Sequence, residues 1–187
     1  MADTTVTLNL NGNRLTSIVD GSRMLVRGKD YTVSADYQQV TFSAAALSRL
    51  VGARDYGVNA VLSARFSRGV PWKFRVITYD PPVARAASGT TDSTVIPVAF
   101  NGDLLATMEA TYADGSGNAG PQNWTSYKEF GRAFTPDYTA GTVTLPVAFF
   151  NEVTDGATVN LTFHFWSGTT VRYTVVRSGS QVTGRPA

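Results

Sequence analysis

A short hairpin pattern occurs twice in this chain, ninety residues apart. The sequence LNGNRLTSI at residues 10–18 returns as FNGDLLATM at residues 100–108. Each copy follows an apolar run with strand-like alternation. Asn-Gly at such a place predicts a type I′ turn, because both residues tolerate positive φ. The chain is therefore expected to contain two β-rich halves built on one plan.

The correspondence continues to the end of both halves, with one interruption. Residues 30–32 match 137–139, and residues 62–66 match 161–165. The offset rises from 90 residues at the hairpin to 107 at the first of these matches, which requires an insertion of 17 residues in the second copy. We predict three segments and one insert: a first module at 1–80, an exposed linker at 81–93, a second module at 94–187, and an aromatic insert at 109–136.

The strand pattern predicts an all-β fold of two tandem immunoglobulin-like β-sandwich modules. About seven short strands in 80 residues, separated by turn signals, are typical of such sandwiches. One helical turn is expected at 43–50, with Ser43 as its cap. The matched register predicts buried core residues in each half: Leu10, Leu15, Leu62, Phe66 and Phe74 in the first, and Phe100, Leu105, Leu161, Phe165 and Tyr173 in the second.

Composition excludes several classes of function. Cysteine is absent, which removes disulfides and thiolate chemistry. The net charge of +2 comes without basic clusters, so nucleic acid is not an expected partner. Neither a membrane-spanning run nor a nucleotide-binding glycine motif is present. With a single histidine, no His-based metal cluster is possible, and no cofactor is expected.

Catalytic residues are not indicated. His164 lies within a strand, opposite in parity to the core residues around it, and is interpreted as a solvated strand histidine. Glycoside hydrolysis needs two facing carboxylates. Asp30 and Asp137 occupy equivalent turns, where Asp commonly accepts backbone N–H bonds, so both are interpreted as structural. The chain is predicted not to be an enzyme.

Aromatic residues are the remaining candidates, because an aromatic ring can cover the flat C–H face of a pyranose at little conformational cost. Trp124 and Tyr127 lie in the insert, beside Gln122 and Asn123, whose amides suit sugar hydroxyls. Trp166 should face outward near a hairpin tip, and Tyr112 is a weaker candidate. These six residues form the predicted carbohydrate-binding site.

Each tryptophan also has a structural interpretation. Trp72 shares strand parity with core positions and is expected in the core or in end packing. Trp166 could instead cover the insert. Trp124 could belong to a small core of the insert with Phe130 and Phe134.

The motifs also carry a family resemblance. LNGNRLTSI at 10–18, GKDYTVS at 28–34 and the helical turn holding Leu47 and Leu50 resemble, in this order, the X2-type immunoglobulin-like module of bacterial enzymes that degrade plant polysaccharides. Residues 94–180 resemble an aromatic-rich relative. The tandem is similar to the C-terminus of family 5 endoglucanases, where an X2 module precedes a family 46 carbohydrate-binding module.

The resemblance implies a secreted, extracellular fragment that holds β-1,4-linked glucan (cellulose, mixed-linkage glucan or xyloglucan) for a catalytic glycoside hydrolase domain of the same parent chain. A plain X2 module has no counterpart of the insert, so no binding residue follows from the motifs. A monomer is expected. The alternatives are a structural or adhesive tandem spacer without sugar binding and, third, an independent enzyme.

Overall fold

Both Asn-Gly pairs adopt the positive φ values that the hairpin pattern predicts. In the computed structural model, φ is 45° at Asn11 and 83° at Gly12, and 50° at Asn101 and 85° at Gly102. The structure describes residues 2–53 and 55–187. The chain divides after Tyr79 into two units, which we call the first and the second unit.

The elements of the first unit are β1 (Thr4–Thr7), β2 (Leu15–Asp20), β3 (Arg23–Met24), β4 (Tyr31–Val33), β5 (Gln39–Phe42), α1 (Ala44–Val51), β6 (Gly57–Phe66) and β7 (Trp72–Thr78). They form a three-stranded sheet, in the order β1-β5-β4, and a four-stranded sheet, in the order β3-β2-β6-β7. Neighbouring strands in both sheets run antiparallel. Ser43 caps helix α1 by accepting a hydrogen bond from the N–H of Ala46, as predicted.

The elements of the second unit are β8 (Val83–Ala84), β9 (Ala87–Thr90), β10 (Ser93–Ala99), β11 (Leu105–Tyr112), β12 (Tyr127–Lys128), β13 (Thr135–Asp137), β14 (Thr142–Pro146), α2 (Val147–Phe150), β15 (Thr158–Phe165), β16 (Thr170–Ser178) and β17 (Gln181–Pro186). They form a four-stranded sheet, in the order β13-β14-β10-β8, and a six-stranded sheet, in the order β12-β11-β15-β16-β17-β9. We call the six-stranded sheet the large sheet.

Strand register repeats between the units. Leu15 pairs with Phe66 in the first unit, and Leu105 pairs with Phe165 in the second. In each unit the ladder shifts register directly after that leucine. An irregularity at equivalent places is strong structural support for two copies of one plan, because bulges are designed features of a sheet.

The core residues largely match the prediction. Leu10, Leu15 and Leu62 are buried in the first unit, whereas Phe66 and Phe74 are only partly buried and pack against its core. All five residues predicted for the second unit are buried: Phe100, Leu105, Leu161, Phe165 and Tyr173.

Residues 81–93 do not form the exposed linker that the sequence predicts. They contribute β8 and β9 to the two sheets of the second unit. The Tyr173 hydroxyl donates to the carbonyl of Arg85 at 2.9 Å. A Cβ on Gly89 would lie 2.7 Å from Thr94 Oγ1. The small residues that suggest a flexible connection therefore permit close packing of an edge strand instead.

Among the described residues, neither helix has the length and apolar character needed to cross a membrane.

Candidate functional site

The outer face of the large sheet brings together residues from three strands. Met108 and Phe163 point into the core, so their neighbours Glu109 and Thr162 point outward. Tyr127 of β12 pairs with Glu109 of β11, which pairs with Thr162 of β15. These three residues thus lie side by side across the face, which we call the outer face.

His164 forms a hydrogen-bonded cluster with its neighbours on the outer face. Its Nε2 lies 2.7 Å from Glu109 Oε1, and its ring centroid lies 6.0 Å from that of Tyr127. The Ser126 hydroxyl donates to Glu109 Oε2 at 2.8 Å. The sequence predicts a solvated histidine, but the imidazole is held between a carboxylate and a phenol ring with 29% of its side chain exposed.

The electrostatics of the cluster favour an ionised Glu109. Burial alone would raise the pKa of this carboxyl, but hydrogen bonds from Ser126 and His164 together hold its pKa below the usual range. A carboxylate beside an imidazole and a hydroxyl offers both acceptors and donors to a polar ligand.

Trp124 lies in a tight turn directly before β12. The N–H of Thr125 donates to the carbonyl of Gln122 at 3.1 Å, which places Asn123 and Trp124 at the turn's centre. The Trp124 side chain is 79% exposed. Lys128, which is buried, donates to the Thr125 carbonyl at 2.8 Å and holds the turn from below.

Trp166 lies at the opposite end of the outer face. Its N–H donates to the carbonyl of Leu104 at 2.9 Å, just beyond the end of β15, and its side chain is 69% exposed. Four positions separate it from Thr162, about 13 Å along an extended strand. The buried carboxylate of Asp103 accepts the N–H of Ser167 at 3.3 Å and ties this turn to the Asn-Gly hairpin.

The other predicted site residues differ in their surroundings. Tyr112 packs against the core on the inner side of the large sheet, and its hydroxyl accepts the N–H of Thr154 at 3.2 Å. Gln122 Nε2 donates to Glu129 Oε2 at 3.3 Å. Asn123 is exposed beside Trp124, and its carbonyl accepts a bond from Asn118.

The structural interpretations of the tryptophans have different outcomes. Trp124 and Phe130 are both exposed, whereas Phe134 is buried. The interpretation that these three residues form a small core of the insert is therefore wrong. Trp72 is 41% exposed and rests on Phe66 with ring centroids 4.7 Å apart, which is end packing rather than core.

Three residues near these aromatics were missed by the sequence reasoning: Glu109, Lys128 and Asp103. No local signal identifies Glu109, because its place beside His164 depends on the pairing of β11 with β15. Among the described residues, no group of three His, Cys, Asp or Glu side chains could hold a metal ion.

A sandwich that displays aromatic rings and hydrogen-bonding side chains on one sheet face has the form of a non-catalytic carbohydrate-binding module. Comparison with family models gives the family. Residues 80–185 match the carbohydrate-binding domain family CBM46, and residues 1–76 match the carbohydrate-binding domain X2 family. The chain belongs to these families, as an X2 domain followed by a CBM46 domain, and both are non-catalytic.

The same tandem occurs in longer bacterial proteins that are similar to this chain. Endoglucanase B of Paenibacillus lautus is 52% identical over 97% of this chain and 31% of its own length. The structure of the tri-modular endo-β-1,4-glucanase B of Bacillus halodurans superposes with a TM-score of 0.89 at 49% identity, over 100% of this chain and 34% of that one. The isolated CBM46 of that enzyme matches at 58% identity and a TM-score of 0.55, over 57% of this chain and 99% of that one. The chain thus spans about a third of the full-length relatives.

Proposed function

We propose that the second unit binds β-1,4-linked glucans, including xyloglucan, mixed-linkage glucan or cellulose, on the outer face of the large sheet. The supporting observation is the placement of its exposed aromatics. Trp124 and Trp166 are the two most exposed aromatic side chains described in this unit, and Tyr127 lies between them. Several exposed rings in one unit suit an extended polysaccharide, because each ring can cover one sugar.

The polar groups between the aromatics would supply hydrogen bonds to sugar hydroxyls. Glu109 and His164 lie beside the ring of Tyr127, within reach of a saccharide stacked on it. The exposed amide of Asn123 adjoins Trp124. We assign Tyr112 a supporting role, since its ring packs inward.

The chain would act as an accessory part of a secreted bacterial β-glucanase. The relatives are endoglucanases three times its length, which is the setting in which a catalytic domain would share its chain. In this proposal the first unit is a spacer that sets the position of the binding unit.

Electrophoresis of the intact chain in gels containing xyloglucan or mixed-linkage glucan, with sedimentation on insoluble cellulose, tests the proposal. We expect retardation or co-sedimentation, and its loss in a variant that changes Trp124, Tyr127 and Trp166 to Ala. Trp72→Ala is the matched control, because it removes a surface tryptophan from the first unit. Absence of retention by every glucan would favour the structural spacer.

A further inference from the structure

Lys128 occupies the place in the second unit that a core leucine occupies in the first. The N–H of Leu25 donates to the carbonyl of Ile18, while Lys128 pairs with Met108, the counterpart of Ile18 at the hairpin offset of 90. Both side chains are 5% exposed. The sandwich itself therefore needs only an apolar side chain here, and the lysine requires another explanation.

The ammonium group of Lys128 is fully used within the insert. It donates to the carbonyl oxygens of Pro121 at 3.1 Å, Gln122 at 3.3 Å and Thr125 at 2.8 Å. An ammonium has three donors, so these bonds satisfy it. Within the described residues Lys128 makes no ion pair, since the four salt bridges involve other side chains.

The three carbonyls belong to the turn that carries Trp124. Gln122 has a φ of 60°, a left-handed conformation that a residue with a side chain rarely adopts without support. Trp124 itself is largely in solvent, so its ring does little to fix the turn. The bonds from Lys128 hold the turn on both sides, and Asn118 Nδ2 donates to the Asn123 carbonyl at its centre at 2.9 Å.

We propose that Lys128 is a positioning residue that fixes the 121–125 turn and so presents the Trp124 ring to a saccharide. The part of this inference that concerns a saccharide rests on the proposed function. The part that concerns the ordering of the turn does not. A fixed ring loses less conformational freedom on binding than a mobile one. Fixing the turn should therefore raise the affinity for the saccharide.

Burying the Lys128 ammonium carries an electrostatic cost. Burial lowers the pKa of the Lys128 ammonium, with Glu152 opposing the shift. A buried cation without a carboxylate partner is costly, and it persists where backbone carbonyls satisfy it. The first unit, which lacks the insert, has leucine at this place and no such cost.

Lys128→Leu is the sharpest test, because it installs the residue that the first unit uses. It removes the donors and keeps an apolar side chain under the sheet. Arg132→Leu is the matched control: it removes one cation from the same insert, where Arg132 lies near Glu129 and Glu152 at the surface. Lys128→Arg keeps the charge and several donors.

The readout is the ¹⁹F spectrum of the full chain labelled with 5-fluorotryptophan, which gives one resonance for each of the three tryptophans. For Lys128→Leu we expect the Trp124 resonance alone to narrow and move toward its unfolded position, and affinity for soluble xyloglucan or mixed-linkage glucan to fall about tenfold. Lys128→Arg should show a smaller change in the Trp124 resonance and a smaller loss of affinity. Arg132→Leu should change neither the resonance nor the affinity.

Two results would overturn the proposal. One is an unchanged Trp124 resonance in Lys128→Leu. The other is loss of the second unit's melting transition in that variant, which would mean that Lys128 supports the whole unit. If the parent chain binds no glucan, the proposed function fails, while the resonance still decides whether Lys128 fixes the turn.

Discussion

His164 Nε2 lies 2.7 Å from Glu109 Oε1, across strands β15 and β11 on the outer face of the large sheet. The two residues are diagonal neighbours rather than direct partners, since Glu109 pairs with Thr162 and His164 with Thr107. Diagonal positions are within reach of long side chains. The contact with Glu109 holds the His164 imidazole beside the ring of Tyr127, which belongs to the proposed binding surface.

A double-mutant cycle with Glu109→Gln and His164→Gln should give a coupling energy of about 1 kcal/mol in the unfolding of the second unit at pH 7, because the pair is partly exposed. The pKa of Glu109 is lowered in the folded state, so its stabilisation is present above the unfolded pKa and is lost as the pH falls through the lower folded value. Calorimetry from pH 7 to pH 3 measures this. A coupling energy that stays constant over this range would contradict the prediction.

Trp124→Ala should separate binding from folding. The side chain is 79% exposed, so the free energy of unfolding should change by less than about 0.5 kcal/mol. Glucan affinity should fall by about 1–3 kcal/mol, by analogy with bases stacked on aromatic side chains. Gel retardation and thermal melting on the same variant measure both.

Phe134→Ala is the contrasting control for that experiment. Phe134 lies in the same insert but is 1% exposed, so its truncation should cost about 3–5 kcal/mol of stability. A Trp124→Ala variant that melts as early as Phe134→Ala would contradict a surface role for Trp124.

The sequence was sufficient for the fold because its signals are local and occur twice. The Asn-Gly pairs specify the hairpins, and Ser43 specifies the helix start. Residues 81–93 were predicted wrongly as a linker because their small residues pack only through partners far along the chain, such as β17 with β9. Edge pairing of this kind leaves no local pattern.

The candidate site was predictable only where exposure follows from position. The insert and strand parity placed Trp124 and Trp166 at the surface, and the structure agrees. Glu109 could not be identified, because its place beside His164 depends on pairing between β11 and β15. Lys128 reads in sequence as an ordinary surface lysine, and only the register against Met108 shows that it is buried.

Asp103→Asn should leave the second unit close to the parent in stability. Asp103 Oδ1 accepts the N–H of Leu104 at 2.8 Å and that of Ser167 at 3.3 Å, whereas Oδ2 is buried with no partner among the described residues. The amide keeps the first oxygen and removes the carboxylate, but it places an NH₂ group at the position without a partner, and these two effects oppose each other. The first unit has Asn13 at this place, with its Oδ1 3.3 Å from Ser67 Oγ.

Asp103→Ala is the control, and it should lose about 1–3 kcal/mol because two partly buried N–H groups lose their acceptor. Calorimetric melting of the full chain distinguishes the variants. An Asp103→Asn variant as unstable as Asp103→Ala would mean that the carboxylate charge itself stabilises the hairpin.

Stability of the first unit should depend on acid pH through Asp30. The N–H of Val26 donates to Asp30 Oδ2 at 2.9 Å, and Arg49 Nη2 lies 2.7 Å from Oδ1. The Val26 N–H, helped by Arg49 and opposed by burial, holds the pKa of Asp30 below its usual range. The stabilisation is therefore complete above the unfolded pKa of about 3.9 and is lost as the pH falls through the lower folded value.

Asp30→Asn tests this dependence by comparison with the parent from pH 7 to pH 2. At pH 7 the variant should melt earlier, by about 1–3 kcal/mol of unfolding free energy, since a charge-assisted acceptor is lost. The difference should narrow toward pH 2, because the parent's carboxyl takes up a proton as the pH falls through its lowered pKa. Arg49→Met should show a smaller effect, because the Arg49 side chain is 41% exposed and its interaction is screened. A difference between parent and Asp30→Asn that persists unchanged to pH 2 would assign the effect to the shape of the side chain rather than its charge.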